Sequence, residues 1–259
     1  MSGDPTVRRA TRERHDAMVA LVRDGLDGVE PLAERLGVSP STVRRDLSQL
    51  QRQGRIARTY GGALVPDVFH ERPFTESQRL NLDAKGAIAA VAVHLVPPEG
   101  TVFVDAGTTC LALARLLVDR GPLTVVTRGL EAAVLLARAP GVDVIMTGGR
   151  VQPLSHGVTG PLSSLALDRL RFDMAFLGAD AVDPARGLGE PTVEETWVKE
   201  QAAARADQVA LLVDSSKLAQ QAPAWIPIEP TWTVVTDASA PADALDELRA
   251  LGARVLTAS

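Results

Sequence analysis

LGVSPSTVRRDLSQLQRQGRIARTYGG, residues 36–62, is the most informative stretch of the 259-residue chain. Gly37 and Val38 make a short turn after the apolar-periodic PLAERL. Ser39 then stands as a helix N-cap, with Pro40 at the first helical position, where its missing N–H costs nothing. From there Val43, Leu47 and Leu50 recur at helical spacing and face a core. Ser41, Arg45, Ser48 and Arg52 repeat at the same spacing on another face, with Thr42 and Gln49 beside them. Hydroxyl, amide and guanidinium donors on one helix face are what reading base edges in a major groove requires. Gly54 ends the helix. Residues 56–59 and 63–65 follow as two short extended runs around Tyr60-Gly61-Gly62, whose glycines permit the reversal of a β-wing.

A lone amphipathic helix with a charged face is most often a solvated surface helix. Here two helical stretches precede it: residues 11–23, with Met18, Leu21 and Val22 facing inward, and residues 31–36. Helix, helix, tight turn, capped polar helix and glycine wing in succession predict a winged helix-turn-helix.

These residues resemble the DeoR family of bacterial transcription regulators, whose members carry a VSxxTxRRDLxxLxxxGxxxRxxGG block near the N-terminus. Residues 38–62 match that block throughout, with Tyr60 in place of the histidine common there. The resemblance implies that Ser39, Ser41, Thr42, Arg44 and Arg45 lie at double-stranded operator DNA, with Arg58 and Tyr60 on the wing.

Charge is spread unevenly along the chain. Residues 1–62 hold eleven arginines against eight acidic residues, a balance of +3, while the whole chain carries −5. The remainder therefore carries −8, and a basic head on an acidic body presents only one part to nucleic acid. A single cysteine, Cys110, excludes an internal disulfide and fits a reducing compartment. No apolar run is long enough to span a bilayer and the N-terminus has no signal-peptide core, so the expectation is a cytoplasmic protein without a membrane partner. No Cys/His cluster suggests a metal, and no motif demands a cofactor.

Residues 1–65 are expected to form the DNA-binding domain, residues 66–81 (PDVFHERPFTESQRLN) a polar linker, and residues 82–259 a second domain. In the last, the apolar runs TVFVD, LTVVT, DVIMTGG, MAFLGAD, VALLVD and WTVVTD alternate with Ala- and Leu-rich helical stretches. This predicts an α/β domain with a mostly parallel sheet covered on both faces. The runs stop at Asp105, Thr127, Gly148, Gly178, Asp214 and Asp237, and ligands of open α/β sheets bind beyond the carboxyl ends of the strands. Each such residue taken singly is as well explained by a turn.

The sharpest of these ends is Asp105-Ala106-Gly107-Thr108-Thr109, where a strand passes through a glycine turn into a helix. Exposed N–H groups and the helix dipole at such a start attract an anion, and the threonines add donors. Simple capping by Thr108 or Thr109 is the competing account. Neither a Walker loop nor GxGxxG is present. Of 27 basic residues only Lys85, Lys199 and Lys217 are lysines, in a chain that otherwise prefers arginine. Lys217 follows the strand end LLVDSS. Lys199, four residues after Glu195, also suits a plain i,i+4 salt bridge.

The resemblance extends over about residues 82–257. DeoR-type sensor domains show a lysine before the first helix, a DxGTT loop, a strand ending in Thr, a GG…G segment, an LGAxxxD run, an ExxxK helix and a DxSK strand end. This chain supplies Lys85; Asp105, Gly107, Thr108 and Thr109; Thr127; Gly148 and Gly149 with Gly157; Gly178 and Asp180; Glu195 and Lys199; and Asp214 with Lys217. The fold of that family is similar to ribose-5-phosphate isomerase and glucosamine-6-phosphate deaminase, and its usual effectors are phosphorylated sugars.

The expected function is thus a DNA-binding regulator, in such families most often a repressor, controlled by a phosphorylated sugar. The phosphate is expected at Gly107–Thr109 with Lys217 as counter-charge, and sugar hydroxyls at Asp105, Asp180 and Glu195. One short recognition helix makes few base contacts, so a homo-oligomer (dimer or tetramer) is expected. The rival is an enzyme, an aldose–ketose phosphate isomerase or deaminase with a fused DNA-binding head. It is disfavoured because three of the four histidines (15, 70 and 94) lie outside the strand-end motifs and only His156 sits in a glycine-rich loop. A third alternative is an interaction module without a ligand.

Overall fold

The computed structural model describes residues 5–23, 26, 28–52, 56–59, 62–64, 71–218 and 220–258, and the chain divides into two compact units, Met1–His70 and Glu71–Ser259. In the first, α1 (Pro5–Arg23), α2 (Val29–Leu36) and α3 (Pro40–Arg52) precede β1 (Ala57–Thr59) and β2 (Gly62–Leu64). Both leading helices begin earlier than the apolar spacing predicts. Val38 N–H bonds back to the Ala33 carbonyl at 3.1 Å, closing α2 and turning the chain into α3. Met18, Val22, Leu32, Val43, Leu47, Leu50 and Ile56 form the core of this unit. Val43, Leu47 and Leu50 are buried as predicted; Leu21 is only partly so. The wing strands pair antiparallel, with Ala57 opposite Leu64 and Thr59 opposite Gly62. Gly54, Tyr60, Gly61 and the Arg58 side chain lie outside the described residues.

The second unit begins earlier than expected. Instead of serving as linker, residues 71–81 belong to this unit and contain α4 (Phe74–Ser77), with Phe74 buried. A four-residue helix that follows a proline has no periodicity to read. In chain order there follow α5 (Leu82–Ala92), β3 (Thr101–Val104), α6 (Thr108–Leu117), β4 (Leu123–Thr127), α7 (Leu130–Leu136) and β5 (Val142–Met146). Next come β6 (Arg150–Val151), β7 (Val158–Thr159), α8 (Pro161–Leu167), β8 (Met174–Leu177), β9 (Ala181–Asp183), β10 (Gly187–Glu190) and α9 (Val193–Ala203). The unit closes with β11 (Val209–Leu212), β12 (Ala224–Ile226), β13 (Thr233–Asp237), α10 (Ala242–Ala250) and β14 (Arg254–Ala258).

Seven of these strands form one sheet in the order β14-β13-β11-β8-β3-β4-β5, with every neighbouring pair parallel. Six of them are the apolar runs of the sequence; β14 was not foreseen, because RVLTA lacks a continuous apolar run. Val102, Val104, Val125, Met174 and Phe176 pack on one face with Ile88 of α5 and Leu113 of α6. Phe103, Val126, Ala175, Leu177 and Leu211 pack on the other with Leu167, Val198 and Leu248 of α8, α9 and α10. This strict alternation is why the strands read as continuous hydrophobic runs. The chain moves from β3 outward to β5, then returns to β8 and runs outward the other way. β3 and β8 thus flank the switch point of the strand order, and in open α/β sheets ligands bind beyond the carboxyl ends of the strands at such a point. A smaller sheet, β12-β10-β9, flanks it. Its strands, of three or four residues each, are too short to be legible in the sequence.

Candidate functional site

At the start of α3, Ser39 Oγ accepts a bond from Thr42 N–H at 3.2 Å and lies 2.8 Å from Ser41 Oγ and 2.9 Å from Thr42 Oγ1. The cap and the first-turn hydroxyls are one cluster at the helix start. Arg44 and Arg45 are exposed. Arg44 Nη2 stands 3.3 Å from Glu30 Oε1, an open surface pair worth little and readily exchanged for a phosphate. Asp46, the next residue, turns inward to Arg14 Nε at 2.6 Å and His15 Nε2 at 3.3 Å. Burial works against its charge, but Arg14 and His15 outweigh burial and hold the carboxyl below its ordinary range. The RRD run thus sends two arginines outward while its aspartate fastens α3 to α1, a division that sequence spacing did not reveal.

The second set of residues meets at the β3–β8 switch. Asp105, fully buried, accepts from Ala106 N–H at 2.7 Å and Arg128 Nε at 2.5 Å through one oxygen. The other takes Gly178 N–H at 3.1 Å and Lys199 Nζ at 3.0 Å. Burial alone would raise its pKa; Arg128 and Lys199 more than offset that and hold it below the usual carboxylate range. With both oxygens committed to protein groups, Asp105 braces the two diverging loops. It is not placed to receive a sugar hydroxyl, which corrects the role expected for it.

Lys199 is also spent inside the protein, on Glu190 Oε1 at 2.5 Å and the Gly178 carbonyl at 2.8 Å. The i,i+4 bridge to Glu195 is not what it makes. Glu195 instead accepts from Ser155 Oγ at 2.9 Å and Thr192 Oγ1 at 3.0 Å, with Arg128 Nη1 at 3.7 Å. Thr192 in turn caps α9 by accepting from Glu195 N–H, while its hydroxyl donates to Glu195 Oε2. Burial, reinforced by Asp180 and Glu195, pushes Glu190 up to about 8 despite Lys199. Arg128 and Glu190 were missed by the sequence reading. Arginine is too common in this chain to stand out, and GLGE carries no motif.

The DAGTT loop keeps its donors free. Gly107, at φ 100, sits in a backbone region that L side chains rarely adopt, and caps α6 with no side-chain bond. Neither threonine hydroxyl bonds another protein group among the described residues, so the capping account does not hold. Half-buried N–H groups at the start of a helix therefore meet two free hydroxyls. Thr108 lines a groove of about 210 Å³ between α5 and α6 together with Lys85, Gln78 and Arg115.

Lys85 is buried and donates to the Ser77 and Leu80 carbonyls at 2.6 and 2.8 Å, closing the turn before α5. Burial lowers its pKa, opposed by Asp214 and supported by Lys217. Lys217 Nζ pairs with Asp180 Oδ1 at 2.9 Å and keeps part of its side chain open. Asn81, not anticipated, bonds Asp214 Oδ1 at 2.9 Å, and Ser216 Oγ also donates to that carboxylate. Lys217, Asp180, Asp214 and Lys85 therefore share one neighbourhood at the sheet edge.

Thr127, Gly148 and Gly149 serve the backbone. Thr127 Oγ1 accepts from Gly129 N–H and the Gly148 carbonyl accepts from Ser163. A Cβ on Gly149 would come within 2.3 Å of the Thr159 carbonyl oxygen, so only glycine fits that approach. His156 Nδ1 binds Glu131 Oε1 at 2.5 Å and its ring stacks on Phe74 at 5.0 Å. His15 is held by Asp46 and His94 is exposed, so none of the described histidines bonds the Asp105 cluster. No group of three or more metal-ligating side chains occurs among the described residues.

The model of the DeoR C terminal sensor domain matches residues 80–238, and that of the DeoR-like helix-turn-helix domain matches residues 14–68. The chain belongs to the DeoR family of transcriptional regulators. It is 35% identical over 248 residues to the HTH-type transcriptional regulator GlpR of Haloferax volcanii, covering 94% of this chain and 96% of that one. It is 31% identical over 211 residues to the glycerol-3-phosphate regulon repressor of Escherichia coli, covering 81% and 84%. Among solved structures, ribose 5-phosphate isomerase A from Methanocaldococcus jannaschii aligns over 54% of this chain and 55% of that one, with a TM-score of 0.41 and 23% identity. As a DeoR-family member the protein is a DNA-binding transcriptional regulator with an effector-sensing unit. No helix among its described residues is long and apolar enough to cross a membrane.

Proposed function

We propose that this regulator is a cytoplasmic repressor whose grip on operator DNA is set by a phosphorylated sugar or related metabolite bound at the β3–β8 switch. The observation that carries the reading is the start of α6, whose unclaimed N–H groups and free Thr108 and Thr109 hydroxyls lie at a topological switch point. Lys217 is the counter-charge: its bond to Asp180 is partly exposed and is exchanged for phosphate oxygens when the effector arrives. Lys85 holds the turn beside it, and Gly178, Glu195, Lys199 and Asp214 keep the surrounding loops in place. Relatives that repress a glycerol-3-phosphate regulon fit a phosphorylated ligand. On the reader, Ser39, Ser41, Thr42, Arg44 and Arg45 face the operator, with Arg58 and Tyr60 at the wing. Two or more heads in a homo-oligomer span the site, and the effector acts by favouring one arrangement of them.

No catalytic role is assigned, because the family and the named relatives are transcriptional regulators; Asp105 and Lys199, locked together, are not free to move a proton between adjacent carbons. Turnover of a sugar phosphate by the purified protein would refute this. A thermal-shift screen of phosphorylated sugars tests the main reading. A ligand at a hundred times its dissociation constant stabilises by about 2.7 kcal/mol, a shift of several degrees. Lys217→Met is expected to abolish both that shift and effector-induced release of DNA, whereas release at unchanged effector concentration would remove Lys217 from the site.

A further inference from the structure

Two buried side-chain atoms, Arg128 Nη1 in the Asp105 cluster and Glu71 Oε1 in the segment before α4, have no hydrogen-bond partner among the described residues. Buried polar atoms are rarely left so, and each one calls for an explanation. They are complementary, since one is an N–H donor and the other a carboxyl oxygen. Glu71 lies within electrostatic reach of Arg128 and of Glu195, Asp180 and Glu190, the acids that surround the proposed effector crevice. Burial, with those three acids adding to it, pushes Glu71 up to about 9.

Glu71 is held there by its own segment. Three residues on, Phe74 N–H bonds the Leu154 carbonyl at 2.7 Å and the Phe74 ring stacks on His156. Between these contacts Ser155 reaches Glu195, which stands 3.7 Å from the unbonded Arg128 nitrogen. The segment entering the sensor unit therefore packs on the 154–156 loop, which in turn reaches Glu195 beside Arg128. Lys199 and Asp105, in contrast, are saturated and cannot take a further group.

We propose that Glu71 and Arg128 recognise the hydroxyl-bearing end of the effector, whose hydroxyls donate to Glu71 and accept from Arg128. This deepens the phosphorylated-sugar reading and rests on it: the α6 start takes the phosphate and this pair selects for hydroxyls. Hydroxyls both donate and accept, so a polyol can answer the donor and the acceptor alike. Glu71 is also the first residue of the sensor unit, so the effector engages the chain where it enters from the reader.

The test uses the full-length regulator with ethyl phosphate, which has no hydroxyl beyond its phosphate, against glycerol 3-phosphate and hexose 6-phosphates. Wild type is expected to bind at least one hydroxylated probe more tightly than ethyl phosphate by about tenfold or more. Glu71→Leu, which keeps the bulk without a polar atom, is expected to erase that ratio. Glu71→Gln, which keeps an acceptor and a donor, is expected to preserve most of it. A merely structural role would weaken all the probes together and leave the ratio intact, which overturns the inference. A wild-type protein that does not distinguish the probes also overturns it, with the phosphate site left standing. If no phosphate compound binds at all, the phosphate reading falls and this one with it.

Discussion

Asp105→Ala is expected to lower the melting temperature of the sensor unit by roughly 10 °C. Asp105 is fully buried and is the common partner of Arg128 and Lys199. Removing one member of a buried ion pair costs about 3–5 kcal/mol, because the charge left behind is neither paired nor hydrated. For a domain of this size each kcal/mol moves the midpoint by about 2–4 °C. Lys199 retains Glu190. Arg128 keeps only Glu195 at 3.7 Å, so the larger share of the loss falls on Arg128. All three tryptophans, Trp197, Trp225 and Trp232, lie in this unit, so tryptophan fluorescence during heating reads it without contribution from the reader. A midpoint within 2 °C or so of wild type would show that the two cations find other partners.

The pH dependence has a definite sign. The folded pKa of Asp105 is depressed by Arg128 and Lys199, so its contribution is complete above the unfolded value near 4 and is lost as pH falls through the folded value. The gap between wild type and Asp105→Ala should therefore be full at neutral pH and narrow in acid below about 4.

Replacing Arg44 and Arg45 together with alanine is expected to weaken DNA binding roughly a hundredfold or more per half-site, at about 1–3 kcal/mol for each guanidinium. Both side chains are exposed on α3, and the weak Glu30 pairing is all that Arg44 gives up. The salt dependence is the sharper readout. Each phosphate that the protein no longer neutralises lowers the slope of log K against log salt by about 0.9. If both arginines grip phosphates, the slope falls by about two per head, even on random duplex DNA. A change in affinity confined to operator DNA, with the slope unaltered, would assign them to base edges instead. Tryptophan fluorescence should report an unaltered sensor unit, and unchanged DNA affinity would refute the assignment of α3 as the reader.

Much of this was legible in the chain. The Ser39 cap, the inward Val43, Leu47 and Leu50, and the alternation of apolar runs with helices follow from short-range rules that act within a few residues. Those rules also place the DAGTT turn beyond a strand, where a helix start faces the sheet edge. Lysine scarcity pointed at Lys85, Lys199 and Lys217, and all three occupy the carboxyl side of the sheet. What it left open was their tasks: Lys217 alone keeps a partly exposed, exchangeable partner, while Lys85 closes a turn and Lys199 is locked in the interior.

The residues missed share a physical reason. Arg128 is one arginine among many, Glu190 follows a glycine-rich strand, and Glu71 stands in a stretch with no periodicity. Their importance comes from which charges lie nearby, and a charge interacts through space rather than along the chain. The order in which strands pair decides those neighbours, and strand order is not written in any local spacing.

The amino-acid sequence on its own determined a basic winged reader, an α/β unit behind it, and a glycine turn that leads from a strand into a helix start, since each is encoded by hydrophobic period, caps and turns. Tertiary structure alone decided the pairing of charges at the crevice. Glu195 and Lys199 are one helical turn apart yet make no bridge, because the reversal of strand order between β3 and β8 brings Asp105 to Lys199 first.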